Sequence, residues 1–299
     1  MAVFVDVWRF GGGAGGGEAP FCQVEVQPGV DTPKSLKAKI AAEVGVPCHR
    51  QRLVPVGSTA VIDGPGPLQE SFDVAAGVQL VVIDVELPKE RLRLAFDNLQ
   101  YPGAEAVSGQ CGEFLHDREM RAVVVQGRRG VEFGGHCVLR LPAPVELGAE
   151  WTISFWTLAP ADSDQTWRNL LDGTVPDTCI AVCFQQGRLG DYHGQQWLQG
   201  FSAETLSAGW HHFAAVGANG CTDYYLDGEL LGRLSVQARG TVGAVGNRAD
   251  GAVAEAFGVL SDLRIFGTAA CLEQVQELAA QEPAKLDARR DLLELTMML

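Results

Sequence analysis

The chain has 299 residues, 46% hydrophobic and 20% charged, which suits one large packed domain or two ordinary ones and argues against disorder. Its 37 acidic and 23 basic residues give a formal net charge of −14, a surface that repels a phosphate backbone; the pairs Arg128-Arg129 and Arg289-Arg290 are too short to reverse this, so no nucleic-acid partner is expected. No apolar run approaches the roughly 20 residues that span a bilayer, so no membrane insertion is expected.

The start, MAVFVDVWRF, carries Asp6 early and lacks a basic leader and a cleavage site, so it reads as a strand of a cytoplasmic protein. Without a signal peptide, the eight scattered cysteines (22, 48, 111, 137, 179, 183, 221 and 271) are expected to be buried free thiols rather than a disulfide framework. In GGGAGGGEAP, Gly11, Gly13 and Gly16 satisfy G-x-G-x-x-G. A phosphate-binding loop needs a helix N-terminus straight afterwards, whereas a strand, CQVEVQ, follows here. Thr32 then supplies an N-cap and Pro33 a first helical position. Leu36, Ile40 and Val44 form one apolar stripe at i+4 spacing, and Gly45 ends the helix. QRLVPVG and GVQLVVIDVE are two further strands, so the order predicts a helix lying across a mixed sheet.

The run VEVQPGVDTPKSLKAKIAAEVGVPCHRQRLVPVG, followed by LQESFDVAAGVQLVVI, resembles the ubiquitin-like family along nearly the full length of that fold. The resemblance implies a β-grasp domain over residues 1–86. It also implies a protein-binding patch on Val54, Gln79 and Val81, with Gln79 in place of the family's histidine. A conjugated modifier ends in a flexible diglycine, whereas DVELPKERLRLAF runs directly into more protein, so the domain is expected to be a fixed module.

After a short linker at residues 87–91, the texture changes to short strands separated by Gly and Asn turns. WTISFWTL alternates Trp151, Ile153 and Phe155 against Thr152, Ser154 and Trp156, and the regular spacing predicts a two-sheet sandwich. VEFGGHCVLRLPAPVELGAEWTISFWTLAP, GWHHFAAVGANGCTDYYLDGELLGR and FGVLSDLRIFGTAACLEQV are similar to concanavalin A-like, laminin-G-type jelly rolls. That resemblance implies an all-β domain over 92–281. CLEQVQELAAQ places Leu272, Val275 and Leu278 on one helical face. The segment 282–299 is read as a helical tail ending in an apolar cluster, Leu292, Leu293, Leu295, Met297, Met298 and Leu299, which either docks on this chain or inserts into a partner.

Catalytic and metal chemistry have little support in the residues. Cys179 and Cys183 in one strand would lie roughly 13 Å apart, too far to share a zinc. His136-Cys137 and His211-His212 are neighbours that point to opposite faces, with one of His211 and His212 expected in the core. No metal or other cofactor is expected; the weak candidates for calcium, which some jelly rolls of this class bind, are Asp172, Asp177, Asn247 and Asp250. The E-x-D-x-x-E of the jelly-roll hydrolases is absent, and no serine sits in a G-x-S-x-G elbow, so no enzyme is expected. In lectin-like jelly rolls a sheet offers aromatic platforms for sugars, and Trp156, Tyr192, His193 and Trp197 are the ligand-facing candidates here. The sequence therefore predicts an α+β ubiquitin-like domain followed by an all-β sandwich. Its expected role is that of an adaptor or accessory subunit bound to protein partners in a larger assembly, with lectin-like carbohydrate binding as the alternative.

Overall fold

The computed structural model describes residues 2–9, 20–62, 66–82, 85–96, 112–115, 118, 120–159, 167–173, 182–192, 194–251 and 257–281. The chain divides into two compact units, residues 1–86 and 87–299.

The first unit contains strands β1 (Val3–Arg9), β2 (Cys22–Val26), β3 (Gln51–Pro55) and β4 (Val78–Val82), with helices α1 (Pro33–Val44) and α2 (Leu68–Ser71). The sheet order is β2-β1-β4-β3; β1 pairs with β4 in parallel and with β2 antiparallel. α1 forms where its caps direct it: Thr32 Oγ1 accepts from the Ser35 amide at 3.3 Å, and Gly45 closes the helix at φ +72°, a left-handed value that favours glycine. Leu36 and Ile40 on its inner stripe are buried against Val5, Val7, Val24, Leu53 and Leu80. Gln51 ties β3 to α1 and to the chain just after it by donating Nε2 to the carbonyls of Lys37 and Val46, at 2.9 and 2.7 Å.

The second unit is mostly β and packs three sheets around one core. The largest combines β5 (Glu90–Leu94), β7 (Met120–Val125), β8 (Arg128–Phe133), β10 (Trp151–Ala159), β16 (Gly209–Ala218), β17 (Cys221–Leu226), β18 (Glu229–Leu234) and β20 (Gly258–Phe266). Its order is β18-β17-β16-β10-β20-β8-β7, with β5 also pairing with β20. A second sheet joins β6 (Glu113–Leu115), β9 (Val138–Leu147), β12 (Leu171–Gly173) and β19 (Gly240–Val245). A third joins β11 (Trp167–Asn169), β13 (Cys183–Gln185), β14 (Arg188–Asp191) and β15 (Gln196–Trp197). Residues from all three meet in one apolar cluster that includes Trp151, Ile153, Phe155, Phe184, Phe213, Val242 and Phe257. The alternation along β10 emerges as its period requires, with Trp151, Ile153 and Phe155 fully buried in that core. Gly217 lies directly under the Trp151 ring, where a Cβ would collide with it, and the indole Nε1 donates to Ala238 O at 3.0 Å.

The opposite face of β10 is covered as well. Helix α3 (Leu272–Ala280) lays Val275 on Ala214, Val216 and Tyr225, and Arg264 Nη1 donates to Gln281 Oε1 at 2.8 Å just beyond the helix end. Two expectations need correction here. Leu272 does not join Val275 and Leu278 in the core; it is 45% exposed at the helix start. Among the described cysteines, all free, only Cys137 and Cys183 are buried; Cys48 and Cys271 are exposed because one opens a surface 3-10 turn and the other caps α3.

His212 is fully buried on this covered face and shares a 2.8 Å hydrogen bond between its Nε2 and Ser154 Oγ. Burial pushes its pKa down to about 3, helped by the charges of Arg264 and Arg128 and opposed by Asp262. The folded state therefore binds its proton less readily than the unfolded chain, whose histidine titrates near 6.5. The contribution is complete above the unfolded value and is lost as pH falls from there toward about 3. Denaturant unfolding of the full chain should show this group costing roughly 3 kcal/mol between pH 7 and pH 4. The stability curve of His212→Gln should be flatter by that amount over the same range; parallel curves would assign the acid sensitivity to other groups.

Candidate functional site

The third sheet of the second unit carries the most concentrated surface chemistry of the described residues. Its β13 and β14 are joined by Gln186 and Gly187, both at positive φ (+53° and +74°), as a tight hairpin turn of this hand requires. Phe184 and Leu189 pair across that hairpin and point into the core, so the residues between them in register point outward. One outward row is Trp167, Gln185 and Arg188; the next is Asn169, Cys183, Gly190 and Trp197, of which only Trp197 is not buried. The small residues Cys183 and Gly190 leave room for the two tryptophans to lean over the sheet toward each other. Their ring centroids lie 5.6 Å apart, and Tyr192 packs edge-on to Trp167 at 5.0 Å. Gly190 sits beneath Trp197, where a Cβ would come within 2.7 Å of the indole Cε3. All three rings remain half-buried. Exposed Arg188 places its guanidinium carbon 5.6 Å from the Trp197 centroid, within cation–π reach.

The structure thus brings Tyr192 and Trp197 together and adds Trp167, which the sequence did not indicate. A three-residue strand, WRN, is too short for its alternation to be read. Trp156 lies elsewhere, on the face of the large sheet. There Arg128 covers its ring at 3.4 Å and His212 packs against it at 5.2 Å, so its ring is engaged within the protein and is no platform for a ligand. His193, Asp177, Cys111, Cys179, the glycine loop at 11–16 and the tail residues Leu292, Leu293, Leu295, Met297, Met298 and Leu299 lie outside the described residues.

Of the calcium candidates, Asp172 is buried and its two oxygens accept the amides of Gly173 and Ala249, at 2.9 and 2.7 Å. Asn247 bridges Gly135 O and the Arg248 amide, and Asp250 faces Arg248 at 3.4 Å. These side chains clamp the 247–251 loop to β12. Among the described residues no group of three or more His, Cys, Asp and Glu could hold a metal ion.

Ser207, His211 and Asp227 form a chain that the sequence did not reveal. Ser207 Oγ is 3.2 Å from His211 Nε2, and His211 Nδ1 is 2.7 Å from Asp227 Oδ2. The same Nε2 faces the Ser207 carbonyl at 3.0 Å. Nε2 is thus shared between the hydroxyl and the carbonyl of Ser207, while Asp227 holds the other side of the ring. Asp227 also accepts the His212 amide at 2.9 Å, so the chain fastens the 207 loop and the 227 turn to β16.

In the first unit, Val54 and Gln79 are register partners on β3 and β4, and Gln79 also pairs with Trp8 on β1. Gln79 and Val81 are half-buried, but Val54 is buried, so the patch implied by the resemblance does not offer all three side chains to a partner.

No family model matches the chain, and no curated protein matches it. Solved structures to which it is similar include domain 4 of AbnA, an extracellular GH43 arabinanase from Geobacillus stearothermophilus, in complex with arabinotriose. That likeness has 18% identity and a TM-score of 0.47 and covers 65% of this chain and 100% of that one. The binding domain of botulinum neurotoxin serotype G is similar at 13% identity and a TM-score of 0.45, covering 64% and 50%. The serotype D ligand-binding domain in complex with N-acetylneuraminic acid follows at 12%, 0.43, and 64% and 50%. The chain spans about half the length of these toxin domains. TM-scores below 0.5 leave the fold and the site to be argued from the chain's own residues.

Gly190→Ala tests whether the small residue seats Trp197. The added methyl also meets the Gln196 carbonyl, so a loss of about 1–3 kcal/mol of stability is expected. A shift in tryptophan emission should accompany it; unchanged emission and stability would mean that the ring does not rest there.

Proposed function

We propose that this chain is a non-catalytic recognition protein whose second unit, read as a concanavalin A-like jelly roll, takes a carbohydrate on the outward face of the β11-β13-β14-β15 sheet. The observation that carries this is the convergence of Trp167, Tyr192 and Trp197, side by side with the Gln185 amide and the Arg188 guanidinium. Sugars present apolar C–H faces and a rim of hydroxyls, which aromatic rings and amide or guanidinium donors match respectively. Ser207, His211 and Asp227 are read as a fastening of the 207 loop and the 227 turn to β16, in keeping with the non-catalytic part.

The first unit is read as a ubiquitin-like β-grasp module fixed within the chain. Its helix packed on one face of a mixed four-stranded sheet supports that assignment, and the run DVELPKERLRLAF, with no diglycine where the unit ends, argues against conjugation.

Titration of the full chain with a panel of neutral and charged oligosaccharides should find saturable binding, weakened about tenfold or more by Trp197→Ala and by Trp167→Ala. Trp156→Ala is the internal control: it should lower stability and leave affinity unchanged. Loss of binding in Trp156→Ala alone would move the site to the large sheet.

A protein partner is the second reading, favoured by Phe4, which stands 66% exposed on the sheet face of the first unit that α1 does not cover. Gel filtration of a gentle native extract separates the outcomes. Elution with a much larger complex is the result expected of an adaptor or accessory subunit, and elution near the 32.0 kDa of the single chain would count against one.

A further inference from the structure

Resting on the carbohydrate reading of this face, we infer that its ligand is an anionic saccharide and that Arg188 reads the acidic group. Many cations of this acidic chain are already committed. Arg233 is paired with Asp223, Lys39 with Asp31, and Arg93 and Arg264 with Asp262. Arg128 is stacked on Trp156. Arg188 differs. It is exposed, and among the described residues no carboxylate lies within ion-pair distance of it.

Among the described residues, the nearby acids are turned to other tasks. Asp191, the third residue after it on β14, is buried and accepts the Gly194 amide at 2.7 Å. Glu204 passes close to Gly187 in the preceding turn, and among the described residues no ion pair joins it to a cation of this face. What holds Arg188 is the Trp197 ring, 5.6 Å from its guanidinium carbon. That contact favours the cation beside the ring and keeps its five N–H donors next to the aromatic pair. A planar fork of donors is matched by two oxygens of a carboxylate or a sulfate, and such charge-assisted bidentate contacts are stronger than those to a hydroxyl.

The position in the sheet adds selectivity. Arg188 and Gln185 are direct register partners, so an oxyanion and an adjacent hydroxyl are met about 5 Å apart while the sugar face rests on the indoles. The net charge of −14 opposes an anionic ligand at long range, but at physiological salt that field is screened beyond about 8 Å. Contact with Arg188 is well inside that distance.

The test compares three probes on the full chain by calorimetry: a trimer of galacturonic acid, the neutral galactose trimer, and a sulfated galactose trimer. One or both acidic probes should bind about tenfold more tightly than the neutral one. Preference for the uronate over the sulfate, or the reverse, identifies the group that is read. Relative to the wild type, Arg188→Gln should abolish the preference, so that acidic and neutral probes bind that variant alike. Arg188→Lys, which keeps the charge and loses the fork, should fall between them, and the preference should shrink in high salt. Equal affinity for acidic and neutral probes, or a preference that survives Arg188→Gln, overturns the inference and leaves the carbohydrate reading standing. Absence of binding by every saccharide overturns the carbohydrate reading itself, and this inference with it.

Discussion

Phe184 is gripped by the rings of Phe213, Phe257 and Phe201, with centroids 5.9, 5.6 and 6.5 Å away, and Phe213 in turn stacks on Phe155 at 5.7 Å. This contact joins the small sheet to the large one. Because side chains alternate along a strand, seating Phe184 inward sets the phase of everything that pairs with it. Leu189 follows it into the core. Gln185, Arg188, Cys183, Gly190 and, across the edges, Trp167 and Trp197 are turned outward. A slip of one residue would bury Arg188 and expose the phenylalanine. The half-exposed aromatic face is thus a consequence of core packing on its other side.

The large sheet handles its polar residues differently. On the face of β10 away from the main core, Ser154, Thr152, His212 and Ser261 are all buried, under a layer that includes α3. Thr152 is matched on both sides, donating to Thr268 O and accepting from the Ala270 amide at 2.8 Å each, which fixes the chain ahead of the helix. His212 obtains a partner only at Nε2, while its Nδ1 has none among the described atoms. A neutral buried imidazole tolerates this better than a charged one, and so its proton affinity is low. Stability at neutral pH and sensitivity to acid come from the same burial.

The first unit meets its polar requirements locally. Thr32 and Ser35 cap each other at the start of α1, Asp31 receives Lys39 and Ser35, and Gln51 reaches the carbonyls of Lys37 within α1 and of Val46 just beyond it. Each of these contacts spans at most 14 residues, which explains why this unit is readable from a short stretch of chain. The sandwich depends on pairings such as Arg93 with Asp262 and His136 with Gly251, more than a hundred residues apart.

By itself, the sequence determined the elements whose signals are local. These are α1 with Thr32, Pro33 and Gly45 at its ends, the inward set Trp151, Ile153 and Phe155, and the burial of one histidine of the pair 211–212. Caps and periods of 2 or 3.6 act between neighbours, and neighbours are adjacent in the text. The functional candidates were legible only in part. Tyr192 and Trp197 could be named as aromatics near a strand, yet nothing in the chain order sets Trp167 beside them or removes Trp156 from their company. Short strands carry too little alternation to report a face, and an arginine 28 residues upstream, Arg128, decides what covers Trp156. Which side chains meet on a sheet is settled by register and by the packing of the opposite face, and those exist only once the chain has folded.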